Sequence, residues 1–290
     1  MMASPIGVIG GSGLYDLDGL ENLSEVEVET PFGPPSDTFR RGEIAGRTVI
    51  FLARHARGHR ILPTELNHRA NLWAMRSLGV RFLICVTAVG SLREELAPGD
   101  IVLPNQFLDR TSQRAKSTFF GDGIVAHVSA ADPYSSNLRK LLEKAILEES
   151  ETESSVRNGG TYVQMDGPAF SSRAESELHR QLGGDIIGMT NIPEVKLSLE
   201  AGIAVATICM VTDYDAWRPE EVAVNTVSVL EVLQNNAEKA KKILLRAVPT
   251  IPETPEWPEH GLLRMAMATP RELWPEETTA KLRPILHEFL

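Results

Sequence analysis

Ala204-Val205-Ala206-Thr207-Ile208-Cys209-Met210-Val211 is an apolar run that stops abruptly at Thr212-Asp213-Tyr214-Asp215. The run reads as a strand, and the acids lie where it ends. Other β-type runs precede it. Gly7-Val8-Ile9 ends in glycines, residues 26–29 alternate polar and apolar, and residues 48–53 and 82–86 are apolar. Ile101-Val102-Leu103 follows a Pro-Gly-Asp turn, and residues 161–165 and 185–189 complete the set. Helical patterns lie between them. Leu66, Ala70, Trp73, Ala74 and Leu78 recur at spacings of three and four, which marks one helix face. Ser172-Arg173-Ala174-Glu175 is a capping-box sequence. Pro193 and Gly202 bracket a further helix, and residues 225–247 form the longest amphipathic one. Strands alternating with helices predict an α/β fold with a largely parallel core and helices on both faces.

From residue 249 the texture changes. Pro249, Pro252, Pro255 and Pro258 recur every third residue, and Pro270, Pro275 and Pro284 follow. Proline removes a backbone donor, so an extended tail is expected. Trp257, Leu262, Leu263, Met265, Met267 and Trp274 within it should pack on the domain or on a neighbouring subunit. The expected division is a domain over residues 1–248 and an extension over 249–290.

Composition narrows the function. The chain has 290 residues, 42% of them hydrophobic, which is ample for a core. A formal net charge of −10 argues against a general nucleic-acid binder but leaves room for one local cationic pocket. Cys85 and Cys209 both sit in apolar runs and read as small buried hydrophobes in a reducing compartment. The start lacks a basic segment followed by a long apolar one, and the stretch 201–211 is too short to span a bilayer. A cytoplasmic protein with no membrane partner is expected.

Five strings carry chemistry. Gly10-Gly11-Ser12-Gly13 follows a strand, and its backbone N–H groups and the Ser12 hydroxyl can converge on an anion; a plain tight turn is the alternative. Arg54-His55-Ala56-Arg57-Gly58-His59 gathers cations after a buried strand, and arginine offers paired donors to phosphate. A solvated basic turn is the alternative; zinc at His55 and His59 is disfavoured by the adjacent cations. Thr87-Ala88-Val89-Gly90-Ser91 leaves a strand where ligands bind in doubly wound sheets, or is only a strand-ending turn. Met189-Thr190-Asn191-Ile192-Pro193 joins a strand to a helix N-terminus, which favours anions; Thr190 as a simple N-cap is equally compatible. Asp213 and Asp215 end a buried run, where burial and mutual repulsion would raise a carboxyl pKa and make a proton donor. A turn or helix cap is the ordinary role of a single such acid.

Together the strings resemble the methylthioadenosine phosphorylase branch of the trimeric purine nucleoside phosphorylase family. The resemblance also rests on Thr30-Pro31-Phe32-Gly33, Gly90-Ser91-Leu92-Arg93-Glu94-Glu95, Gly99-Asp100-Ile101-Val102, and Gly167-Pro168-Ala169-Phe170-Ser171-Ser172-Arg173-Ala174-Glu175. It extends to Thr212-Asp213-Tyr214-Asp215-Ala216-Trp217 and covers about residues 6–247 in the family's order. It implies one α/β domain with a twisted mixed β-sheet flanked by helices on both faces. The implied activity is that of a pentosyltransferase of purine and methionine salvage. Methylthioadenosine and phosphate would give adenine and 5-methylthioribose 1-phosphate. No cofactor or metal is implied, inorganic phosphate being a co-substrate.

By the same resemblance Ser12, Arg54, His55, Thr87, Ala88 and Thr190 would hold phosphate. Phe170, with Ser171, Ala88 and Gly90 nearby, would face the base, and Met189 the ribose. Asp213 and Asp215 would reach N7 and the 6-position. Thr226, Val229 and Leu230 would line the 5′-methylthio pocket. His127 would enter a neighbour's site in a homotrimer or a dimer of trimers. A 6-oxopurine nucleoside or methylthioinosine phosphorylase is the enzymatic alternative, though such enzymes favour Asn where Asp213 stands. A non-catalytic nucleoside-binding protein is the other.

Overall fold

The computed structural model describes residues 3–11, 20–112, 114–149, 155–218, 226–254 and 256–290; of residues 114–115 and 226–236 only the backbone is described. Among them eleven strands form one mixed sheet. In chain order these are β1 (Ile6–Gly10), β2 (Glu21–Val26), β3 (Phe39–Ile44), β4 (Arg47–Ala53), β5 (Phe82–Ser91), β6 (Ile101–Leu103), β7 (Gln106–Asp109), β8 (Val156–Asn158), β9 (Thr161–Gln164), β10 (Ile186–Gly188) and β11 (Ala204–Asp213). The helices are α1 (His68–Ser77), α2 (Ser136–Glu149), α3 (Arg173–Gln181), α4 (Asn191–Glu200), α5 (Thr226–Ala247), α6 (Glu276–Lys281) and α7 (Arg283–Leu286).

The centre of the sheet is parallel. β1 lies between β4 and β5, and β11 pairs along the other edge of β5, all in one direction. These strands are apolar on both faces because both faces are covered. Ile6, Val8, Phe82, Ile84 and Ile208 pack on one side with Leu138 and Leu142 of α2 and Ile243 and Leu244 of α5. Ile9, Leu52, Leu83 and Cys85 pack on the other with α1 and α4. Cys85 and Cys209 are fully buried free thiols, as their apolar neighbours led us to expect.

The expected fold class is correct, and several elements differ in detail. Of residues 26–29, expected as a strand, only Val26 belongs to one, as the last residue of β2. Its hydrogen bonds to β3 set its place, since its side chains are nearly all exposed and carry little alternation. The expected extended tail is instead a series of 3₁₀ turns, at Val248–Thr250, Pro258–Met265 and Arg271–Leu273, followed by α6 and α7. Pro249 and Pro258 sit at the first positions of such turns, where a fixed φ helps and no N–H is needed. The tail packs on its own domain, with Leu282 and Leu286 fully buried, but Met265 is 97% exposed, against the expectation that its apolar residues are covered.

Candidate active site

Parallel strands end on the same edge of a sheet, so the fold brings distant strings together there. Beyond β1 lies Gly11, beyond β4 lie Arg54 and His55, and along the last residues of β5 lie Thr87, Ala88 and Gly90. A bulge between Val211 and Asp213 shifts the register at the end of β11, so that Asp213 comes opposite Gly90. β10 runs antiparallel to the end of β5 and leads through Met189 to Thr190 and α4.

These ends enclose a cavity of about 390 Å³, large enough for a nucleoside. Arg54, His55, Thr87, Ala88, Gly90, Phe170, Met189, Thr190, Asp213 and Asp215 all line it. Ten residues selected from five separated strings therefore share one chamber. Ser171 is buried beside it, its hydroxyl 3.8 Å from the Met165 sulfur, and does not line it. His127 is exposed, pairs its backbone N–H with the Ala266 carbonyl, and is not on this wall. Ser12 lies outside the described residues, as do the side chains of Thr226, Val229 and Leu230.

The base end is acidic. Asp213 Oδ2 accepts from the Thr212 hydroxyl at 2.6 Å, and Oδ1 accepts from the Asp215 N–H at 2.8 Å. Asp215 has φ of 52°, a left-handed conformation seldom held without cause, and its buried Oδ2 meets no hydrogen-bond partner among the described residues. A buried, unpartnered carboxylate oxygen calls for a ligand to satisfy it. Gly90 is required here, because a Cβ would lie 3.0 Å from Asp213 Oδ1 and 3.2 Å from Asp215 Cβ.

The opposite end is a group of donors. Thr87 and Thr190 bring their hydroxyls within 3.4 Å of each other. Thr190 is the N-cap of α4 but makes no side-chain capping bond, which leaves its hydroxyl to the cavity. Arg54 lies at the back, 1% exposed. Its Nε and Nη2 donate to Glu194 at 2.5 and 2.9 Å, Nη1 to the Val86 carbonyl at 3.0 Å, and Nη2 again to the Ile9 carbonyl at 3.4 Å. These bonds use four of the five guanidinium N–H groups and leave one, on Nη1, to face a ligand. Burial disfavours the Arg54 charge, but the Glu194 carboxylate outweighs it and holds the guanidinium protonated.

His55 is pushed down to about 4, mainly by burial and further by Arg54, so it is neutral near pH 7. Its Nδ1 donates to the Ile61 carbonyl at 2.8 Å, which leaves Nε2 as an acceptor. The ring stacks on His59 at 4.4 Å.

Sequence reasoning missed Glu194, the partner that fixes Arg54. It is the fourth residue of α4, and the one signal for it is that a buried arginine needs a counter-ion. Met165, Pro168, Ile187, Leu62 and Pro63 also line the cavity as apolar walls. They carry no chemical signal that separates them from core residues.

Residues 5–249 match the family model described as the phosphorylase superfamily. The chain is 48% identical to the S-methyl-5′-thioadenosine phosphorylase of Synechocystis sp., covering 100% of this chain and 89% of that one. It is 47% identical to the enzyme of the same name from Geobacter sulfurreducens, covering 100% of both. The fold superposes with a TM-score of 0.93 on the crystal structure of a methylthioadenosine phosphorylase from an antarctic soil metagenomic library, at 46% identity over 99% of this chain and 100% of that one. With its strand ends, acid pair and donor cluster in one cavity, this chain belongs to the phosphorylase superfamily.

Proposed function

We propose that this protein is a nucleoside phosphorylase that cleaves 5′-methylthioadenosine with inorganic phosphate. The products are adenine and 5-methylthioribose 1-phosphate. The observation that carries the reading is the polarity of the cavity. Along β5 the Arg54 guanidinium and the Thr87 hydroxyl lie at residues 86–87, and the acid pair lies at Gly90, so donors and carboxyl groups line different stretches of the cavity.

Breaking the bond between C1′ and N9 builds positive charge on the sugar and negative charge on the purine. A carboxyl of the Asp213–Asp215 pair gives a proton to N7 as the N9 electrons return to the ring, and the other oxygens accept from the 6-amino group. A phosphate oxygen held by Thr87, Thr190, the Arg54 Nη1 group and the backbone at Gly11 then bonds to C1′. Phe170 covers the base, and Met189 lies along the sugar. The reaction needs no metal or organic cofactor.

We extend the same reading to the assembly. His127 is exposed and stands apart from its own chain's cavity, which fits a residue that completes a neighbour's site in a homotrimer or a dimer of trimers. No described helix is long and apolar enough to cross a membrane, and the proposed setting is the cytoplasm, without nucleic-acid partners.

The test is phosphate-dependent release of free adenine from methylthioadenosine. Release without phosphate, or no release at all, would refute the reading. Preference for methylthioinosine would favour the 6-oxopurine alternative, and tight nucleoside binding without turnover the binding protein.

A further inference from the structure

The cavity must hold a dianion, yet the chain offers it little uncompensated positive charge. Arg54 is matched by Glu194 in a bidentate pair. Burial pushes His55 down to about 4 and lowers His59, so neither is a cation near neutrality. Asp213 and Asp215 bring two carboxyl groups to the same chamber.

Behind Arg54 lies a second feature. His68, at the start of α1, is 6% exposed, and its Nδ1 is 3.8 Å from Glu194 Oε1. That Nδ1 has no hydrogen-bond partner among the described residues. Neutral His68 carries one ring proton; with that proton on Nε2, Nδ1 and Glu194 Oε1 are two acceptors across a buried gap, which a second proton on the ring would join. A side cavity of about 30 Å³ borders His68, with room for a water, and Lys116, Thr111 and Asp166 on its wall. It gives a proton a way in.

We infer that His68 and Glu194 form a proton seat linked to the anion site: phosphate binding draws one proton from water onto His68 Nδ1, where it bonds to Glu194 and offsets the charge of the anion. The inference rests on the phosphate reading of the cavity. No covalent bond forms or breaks apart from the new N–H; neutral imidazole and a solvent proton become imidazolium.

In the empty site His68 is held neutral, pushed down to about 4 by burial, with Glu194 favouring its charge and Arg54 and Lys116 opposing it. The other titratable groups that feel Glu194 are His55 beyond β4, Cys85 on β5, Tyr134 before α2 and Tyr162 on β9. Cys85 and Tyr134 are raised well above their ordinary values by burial, and Tyr162 is raised likewise, so all three stay protonated. These three cannot take up a further proton; of the two imidazoles, His68 is the one whose ring nitrogen stands at ion-pair distance from Glu194, and an anion beside Arg54 tips it toward its charged form.

A rival source of proton uptake is the anion itself. Neutral His55 presents Nε2 as an acceptor and would suit a phosphate that kept its own hydrogen. Sulfate separates the two, because it has no proton to keep near neutral pH.

The experiment is calorimetric titration of the full-length protein with phosphate and with sulfate at pH 7, without nucleoside, in buffers of different ionisation enthalpy. We expect more than half a proton taken up per site with both anions. Glu194→Gln and His68→Gln should abolish the uptake, and Glu194→Gln should tighten anion binding at least about tenfold, since it removes a buried negative charge. Several results overturn the inference: no uptake with phosphate, uptake with phosphate alone while sulfate binds without it or does not bind, or uptake that persists in both folded variants. In the wild type alone, absence of uptake overturns the inference even if the variants fail to fold; uptake kept in His68→Gln and lost in His55→Gln places the proton on His55 and overturns it as well. A protein that shows the uptake but releases no adenine from methylthioadenosine refutes the substrate reading and leaves the proton seat standing.

Discussion

Gly90 shows how tightly single residues are set at the base end. Its missing side chain leaves the space that Asp213, Asp215 and Ile187 fill, each within 3.2 Å of where a Cβ would be. Gly90→Ala must move the acid pair, at a cost of about 1–3 kcal/mol for overpacking. We expect kcat/KM for the nucleoside to fall at least about tenfold while phosphate binding in the absence of nucleoside is unchanged; equal losses in both would show a general disruption. Asp213→Asn tests the acid directly. An amide cannot pass a proton to N7, and general-acid help is usually worth about 10²–10⁴. Methylthioadenosine turnover should fall at least about tenfold and methylthioinosine turnover less, because an amide N–H can donate to a 6-oxo group. An unchanged ratio of kcat/KM would remove Asp213 from base recognition. Arg54→Ala carries a different expectation than its string alone suggests. The substitution strands Glu194 as a buried, unpaired carboxylate, which costs about 3–5 kcal/mol. The variant should lose stability in a denaturant titration as well as phosphate affinity. Sequence reasoning recognised Arg54 because it stands among other cations after an apolar run. Glu194 is 140 residues away in the chain and sits among helix residues of ordinary type, so only the fold reveals the pair.

At the scale of elements, the strands around the site were legible and their neighbours less so. β11 and β5 are long apolar runs buried almost throughout, a pattern that no exposed segment imitates. β3 and β7 are short or half-exposed, and long-range pairing rather than composition makes them strands. α4 joins both kinds of information. Pro193 and Gly202 marked its ends and the string 189–193 pointed its N-terminus at an anion, but nothing in the sequence said that its last residue is a partly buried acid. Glu200, at that last position, accepts from the Thr118 hydroxyl and the Phe119 N–H, both at 2.7 Å. Burial outweighs these two bonds and raises its pKa from 4.5 to about 7. A carboxyl raised on folding stabilises the protein in its protonated form. That contribution is complete below about 4.5 and is lost as pH rises through about 7, with a span of roughly 3 kcal/mol. The melting temperature of the wild type should therefore fall between pH 5 and pH 8 relative to that of Glu200→Gln. Parallel curves for the two proteins would show that Glu200 does not titrate in this range.

At the scale of the whole molecule, the change of texture at residue 249 does not coincide with the edge of the core. The Arg47 guanidinium donates to the Pro252 carbonyl at 3.1 Å. Trp73 of α1 donates its indole N–H to the Lys281 carbonyl at 2.9 Å. Arg81, itself buried, donates to the His260 carbonyl at 3.0 Å and pairs with Glu288 at 3.2 Å. Trp257 and His260 each set a ring edge-on to Phe82, both at 5.0 Å, at the foot of β5. Leu263, Leu282, Ile285 and Leu286 are buried in the same core cluster as α1 and α4. Each such side chain contributes about 1.5–3 kcal/mol by leaving water, so these four supply about 6–12 kcal/mol as an upper estimate. Domains are stable by only about 5–15 kcal/mol in total. Removal of residues 252–290 would also leave Arg76 and Arg81 without their tail partners, in a site built to bury them. The truncated chain should be largely unfolded or insoluble, although the strings that line the cavity all precede residue 249. Expression of residues 1–251 followed by circular dichroism and the adenine-release assay decides it. A soluble protein with the wild-type spectrum and activity would mean that the tail is an accessory to the core and not a part of it.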